Sequence, residues 1–172
     1  MFYNISLNSL GIERVKEFKY RGHMLSENLK DNIDIERERR AVAARGNMLA
    51  RRFAHCSKQV KITLFKAFCQ NFYTSSLWVN CTVRSLTAMR VQYNNAFRML
   101  LGLPRFCSAS EMFAQARTND FWAIIRIKTR SLLSWVRGCR NSILKTVADN
   151  LSLPIMKHFV RTLVGSDRRV YA

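Results

Sequence analysis

The sequence predicts a mainly α-helical bundle of about five to six helices with a short N-terminal β-hairpin. Three observations lead there. Only 6 Gly and 2 Pro punctuate 172 residues, and Leu, Ala, Arg and Met, all good helix formers, are abundant. Apolar residues recur at helical spacing through four long stretches. A single stretch, 15–25 (VKEFKYRGHML), alternates aromatic and charged residues around a glycine, as a strand and turn would. An apolar fraction of 48% with 11% aromatics supplies a core and excludes a disordered chain.

Taken in order, Phe18 and Tyr20 alternate with Lys19 and Arg21, and Gly22 permits the turn. Asn28 to Asp31 supplies loop and N-cap chemistry for a first helix over about 32–54. Ile35, Val42, Gly46, Leu49 and Phe53 form its packing stripe, and Arg37, Arg40 and Arg51 lie opposite. Arg39 interrupts the stripe, so a frayed start or a boundary is expected there. A second helix begins after the cap Ser57 and is expected to reach about Leu77. It is apolar on two sides, with Val60, Leu64 and Ala67 on one and Ile62, Phe65 and Cys69 on the other, which predicts a central position.

A third helix is expected over about 85–101, with Leu86, Met89, Tyr93, Phe97 and Leu100 facing inward and Gly102 as its stop. Ser108 with Glu111 three residues on has the capping-box pattern of a short fourth helix. A longer one should run over about 119–136, with Phe121, Ile125, Leu132 and Trp135 inward and Arg126, Arg130 and Arg137 outward. Residues 142–150 read as a further helical turn or two, and Pro154 opens a last amphipathic piece. Trp78, Phe97 and Trp135 are expected in the core. The elements group into an extended unit (1–30), a first helical region (31–103), a second (104–165) and a loose tail (166–172).

Charge narrows the function. Lys and Arg number 29 against 11 Asp and Glu, a formal net charge of +18. Self-repulsion on that scale is relieved by a polyanion, and Arg, at 20 against 9 Lys, grips phosphate bidentately. Nucleic acid is the partner expected first; an anionic membrane surface or a merely solvated charged surface are the alternatives. No apolar run approaches the ~20 residues of a membrane span, and the first residues carry no basic-then-apolar secretory pattern. The five cysteines are scattered and form no Cys-x-x-Cys, so free thiols in a reducing, intracellular setting, nuclear or cytoplasmic, are expected. In that setting NIS, NCT and NLS are chance matches to glycosylation acceptors.

Catalytic patterns are missing. No phosphate loop, His-Glu-x-x-His or Gly-x-Ser-x-Gly occurs, and His23, His55 and His158 are far apart in sequence. The acids are dispersed, without the converging carboxylates of a two-metal site. Asp31, Asp34, Glu36 and Glu38 read as a favourable charge at a helix N-terminus with local ion pairs. No metal and no cofactor are expected.

Three ordered segments carry a family resemblance: FKYRGHMLSENLKDNIDIERERR, HCSKQVKITLFKAFCQNFYTSSLWVNC and SLTAMRVQYNNAFRMLLGLPRFCSASEMFA. The series resembles the region that follows the catalytic core in reverse transcriptases of LINE-type, non-LTR retrotransposons, over about residues 13–145. The resemblance implies a primer grip at 1–30, a thumb-like bundle at 31–103 and a post-thumb region at 104–165. Phe18, Tyr20 and Gly22 match the primer-grip pattern, while Arg21 stands where the family has Leu. The family's catalytic aspartates lie upstream of this region, so the resemblance implies binding without polymerisation, and the chain is expected not to be an enzyme on its own. A thumb holds duplex backbone without reading sequence, which calls for helices with a packed face and an arginine face. Arg37, Arg40, Arg51, Arg126, Arg130 and Arg137 are therefore the candidate contacts to RNA or DNA, against the alternative of solvated helix faces. Tyr20 is open between stacking on a base or sugar and core packing. A second reading is a domesticated or relic helical module that meets a protein partner through exposed apolar surface, with no nucleic-acid role.

Overall fold

The computed structural model describes residues 6–7, 10–11 and 13–164 of the chain. Among these residues it is mainly helical, with seven α-helices and short antiparallel β pairing at the N-terminal end. The expected loose tail, 166–172, lies outside the described residues.

A two-residue ladder joins β1 (Ser6–Leu7) to β2 (Leu10–Gly11). The hairpin read from the sequence follows, as β3 (Glu17–Tyr20) and β4 (His23–Ser26), with Tyr20 opposite His23. Only Arg21 and Gly22 connect them, at φ 45° and 86°. Two consecutive left-handed residues make the tight hairpin turn whose twist matches the strands, and Gly22 occupies its part without steric cost.

The long α1 (Asn32–Arg52) buries Ile35, Val42, Gly46 and Leu49 as the stripe predicts, and Phe53 is half-buried just past its end. It packs mainly on α3 (Val83–Leu101), whose buried residues Leu86, Met89, Tyr93, Phe97 and Leu100 are those expected. α3 starts two residues earlier than expected and is capped by Thr82, whose Oγ1 accepts from the Ser85 N–H. Gly102 ends the helix at φ 67°, with its N–H on the last-turn carbonyls.

Two expectations fail for α2 (Lys58–Cys69). It stops eight residues before Leu77, and the chain continues through an irregular stretch into a 3-10 turn at Ser75–Leu77. It is also one-sided: Ile62, Phe65 and Cys69 are buried, but Val60 and Ala67 are exposed. Phe72 and Trp78 leave the helical path to enter the core, which outweighs the propensity to continue the helix. Cys69 is a free thiol that burial pushes up to about 11.

Beyond Gly102, α4 (Ala109–Gln115) starts on Ser108, whose Oγ accepts from the Glu111 N–H. The next helix, α5 (Phe121–Gly138), starts on Asp120, whose carboxylate accepts from the Ala123 N–H at 2.7 Å. One hydrophobic core runs from Ile35 in α1 to Ile125 in α5. Its centre is a set of rings around Tyr93, which contacts Phe65, Phe72, Phe113 and Phe121. Phe113 stacks on Phe97 as well, at 4.8 Å between centroids. The Tyr93 hydroxyl donates to the Asn119 carbonyl at 2.8 Å, so its polar tip is satisfied. Trp135 departs from expectation: it is 62% exposed, because Ile124, Thr129 and Leu133 take the buried face of α5.

A smaller cluster forms where α7 (Pro154–Val164) packs on α5 through Leu133, Met156 and Phe159, with α6 (Ser142–Asp149) alongside. His158 sits on this helix with its ring edge towards Phe159. Burial, then the Arg161 charge, lowers its proton affinity below the ordinary 6.5. A depressed folded value means that stability is full above pH 6.5 and falls as acidification protonates the unfolded chain first. Lowering the pH from 7.5 to 5.5, above the carboxylate range, should therefore lower the melting temperature, and His158→Gln should flatten that fall in a thermal scan. Among the described residues no helix is long and apolar enough to cross a membrane.

Candidate nucleic-acid interface and hairpin junction

The N-terminal end of α1 is where the hairpin, the first helix and the 70–82 segment meet, and Asp34 joins them. Its side chain is fully buried. Oδ2 accepts from Thr74 Oγ1 at 2.5 Å and Trp78 Nε1 at 2.8 Å, and Oδ1 accepts from the Met24 N–H and Arg37 Nε. Desolvation pushes this carboxyl up, but the donors from Thr74, Trp78, Met24 and Arg37 outweigh it and hold it below the ordinary value. Asp31, at the helix N-cap, does not cap its own helix. Its Oδ2 accepts from the N–H groups of Val79 and Asn80. Burial keeps its proton affinity raised despite those bonds. Next to it, Asn32 Oδ1 accepts from the Thr82 N–H at 2.9 Å.

His23 lies between the two carboxylates. Its Nδ1 is 3.2 Å from Asp34 and its Nε2 3.7 Å from Asp31, but Nδ1 is not aligned for a hydrogen bond. The start of α1 is thus pinned from several sides, and the fraying expected near Arg39 does not occur. Arg39 instead makes two bonds to Glu36, which with Arg40 hold that carboxylate at about 2. Among the described residues no group of three or more His, Cys, Asp or Glu could hold a metal ion. The oxygens of Asp34 are already taken by donors.

The candidate arginines divide. Arg37 bonds Asp34 at 2.9 Å and reaches Glu38 at 3.3 Å, and Arg40 bonds Glu36 at 2.9 Å. Arg45 is paired with Glu38. These guanidinium groups are partly neutralised by acids on their own helix. Arg37 and Arg40 line one groove with Glu17 and Glu36 between the hairpin and α1. Arg51 is exposed at the far end of α1, roughly 21 Å along the axis from Arg37. Arg130 and Arg137 are exposed on α5, and Arg126 is half-buried there. The two arginine-bearing helices share no major interface: α1 packs on α2, α3 and β4, and α5 on the 3-10 turn, α3, α6 and α7.

Phe18 and Tyr20 are both exposed on the hairpin and stack loosely, at 6.4 Å between ring centroids. Arg21 sits over the Tyr20 ring at 5.7 Å. Tyr20 also borders a second groove of about 540 Å³ between the hairpin and the 70–82 segment. Leu25, Leu29, Tyr73 and Leu77 line it, each exposed. Sequence reasoning passed over Leu29, Tyr73 and Leu77; a lone Leu between Asn28 and Lys30 in a polar loop was the available signal.

Charge is distributed unevenly along the chain. Seven of the eleven acids precede residue 39. Between residues 39 and 164 stand 21 Lys and Arg against three acids, Glu111, Asp120 and Asp149. The ion pairs of Arg37, Arg39, Arg40 and Arg45 all run to acids in the earlier, balanced stretch.

Fold and site together define a basic helical bundle with a hairpin clamped to the start of its longest helix. Set against protein-family models, curated proteins and solved structures, the chain matches none of them.

Proposed function

We propose that this chain binds the sugar–phosphate backbone of an RNA or DNA duplex with little sequence preference, as the primer-grip and thumb region of a LINE-type reverse transcriptase would, and that it contributes binding rather than chemistry. The observation that carries the proposal is the charge of the helical body, 22 basic against six acidic residues over 32–164. That excess has too few carboxylates to pair with and is relieved by phosphate. Arg51, Arg52, Arg130 and Arg137 are the preferred contacts, because all four are exposed and in no ion pair that holds Arg37 or Arg40. Such a role belongs in the nucleus or cytoplasm.

Counterion release gives the test. Anisotropy titrations with duplexes of unrelated sequence should give similar affinities, each falling steeply between 50 and 200 mM salt. Replacing Arg51, Arg52, Arg130 and Arg137 together by Ala should lower the slope of log K against log salt by about 3 to 4. Replacing Arg37 and Arg40 should change it less. Affinity that is flat across salt overturns the proposal.

A further inference from the structure

The groove between the hairpin and the 70–82 segment is lined by none of the arginines assigned to phosphate, and nothing in the described structure covers it. We infer that it docks an amphipathic segment of a partner protein, one whose apolar side chains are flanked by Asp or Glu.

The floor is aliphatic and aromatic. Leu25, Leu29 and Leu77, together with Tyr20 and Tyr73, gather five exposed large apolar side chains on one concave surface. Single exposed leucines need no explanation, but a clustered set marks an interaction surface. A volume of about 540 Å³ accepts the large side chains that an amphipathic helix presents at i, i+3 or i+4 and i+7.

Leu29 strengthens the inference. It is held at φ 54°, a left-handed conformation that a leucine adopts at an energetic cost, yet its side chain is 73% exposed. The surrounding hydrogen bonds enforce this. The Leu29 N–H donates to Ser26 O at 2.9 Å, Ser26 Oγ to Lys30 O at 2.9 Å, and Asn80 Nδ2 to Leu29 O at 3.1 Å. The fold thus spends backbone strain to keep an apolar side chain facing out over the groove.

The rim selects the partner's charge. Arg21 and Lys30 border the groove and are exposed. The one carboxylate beside them, Asp31, is occupied by the Val79 and Asn80 N–H groups. The rim is therefore net cationic and complements acidic flanks. A second copy of this chain is disfavoured, since two like rims on bodies of net charge +18 repel. A nucleic-acid strand offers the right charge, and Tyr20 and Tyr73 offer rings to stack on, but the three leucines of the groove would be left without an apolar partner.

The test is a selection from a random peptide library on the wild-type protein, with counter-selection on Leu29→Asp/Leu77→Asp. Thermal unfolding of that variant near wild type confirms its fold, since both side chains are solvent-facing. Enriched peptides should carry apolar residues at helical spacing with Asp or Glu flanks, and should bind the variant at least tenfold more weakly. Should the variant unfold, Arg21→Glu/Lys30→Glu replaces it, and the preference for acidic flanks should disappear. Three results overturn the inference: no enrichment over the variant, basic flanks in the enriched peptides, or displacement of bound peptide by a short single-stranded oligonucleotide whose own binding is lost in the variant. The salt-dependent duplex binding proposed above is read on a different surface, so either idea can fail alone.

Discussion

Asp34→Ala is expected to destabilise the protein by about 3 to 5 kcal/mol, the range for removing one partner of a buried charge pair. Four donors lose their acceptor at once: Thr74 Oγ1, Trp78 Nε1, the Met24 N–H and Arg37 Nε. Two of them, Thr74 and Trp78, are nearly inaccessible to water and cannot find another partner without local opening. The hairpin, the 70–82 segment and the first turn of α1 should loosen together, because this one side chain bridges all three. Chemical denaturation measures the loss, and hydrogen exchange at Met24 locates it. A decrease under 1 kcal/mol would show that the three elements hold one another without the carboxylate. The same group sets an acid limit. Its folded proton affinity is lowered, so its contribution is full above the ordinary carboxylate value of 3.8 and is lost as the pH falls through the lower folded value.

Gly46→Leu should cost about 3 kcal/mol through overpacking. Gly46 is buried where α1 crosses α3, the largest helix–helix contact among the described residues. Even the first carbon of a side chain there would stand 2.9 Å from Ala96 Cβ and 3.5 Å from its Cα. The obstacle is a Cβ and a backbone atom, neither of which can rotate away, so the helices themselves must separate. Gly46→Ala gains about 1 kcal/mol of helix propensity and spends it on that separation. The reciprocal exchange Gly46→Ala/Ala96→Gly keeps one Gly and one Ala at the crossing and should recover most of the stability lost by Gly46→Leu. If Gly46→Leu melts like wild type, the helices are not in the tight contact described.

Much of the bundle was legible because its stripes are long and regular. Ile35, Val42 and Leu49, and likewise Leu86, Met89, Tyr93 and Phe97, are buried as their spacing demands. Turn and cap chemistry was equally local: Gly22 and Gly102 adopt positive φ, and Ser57 and Ser108 accept from the third N–H beyond them. The failures share a cause. Residues 70–78 have helical apolar spacing, but Phe72 and Trp78 gain more from the core and from Asp34 than from continuing α2. Trp135 satisfies the periodicity of α5 near its end, but α6 and α7 cover the face that carries Leu133 and leave Trp135 exposed.

The arginine stripe on α1 shows the same boundary. Helical spacing places Arg37 and Arg40 on one side, but the acids three or four residues before them lie on that side too. A pattern of basic residues therefore overstated the free charge at that end and passed over Arg52, which is exposed beside Arg51.

What the sequence determined by itself was the set of short-range properties: helix positions, the hairpin turn, the caps and the excess of positive charge. The first three depend on residues within about one or two helical turns of one another, and the last on composition alone. Only the tertiary structure decided that Asp34 binds residues 40 and 44 positions away, which arginines are neutralised, and that leucines and tyrosines from two distant segments share a groove. Those outcomes depend on how preformed elements pack, and packing brings together side chains whose separation along the chain carries no periodic signal.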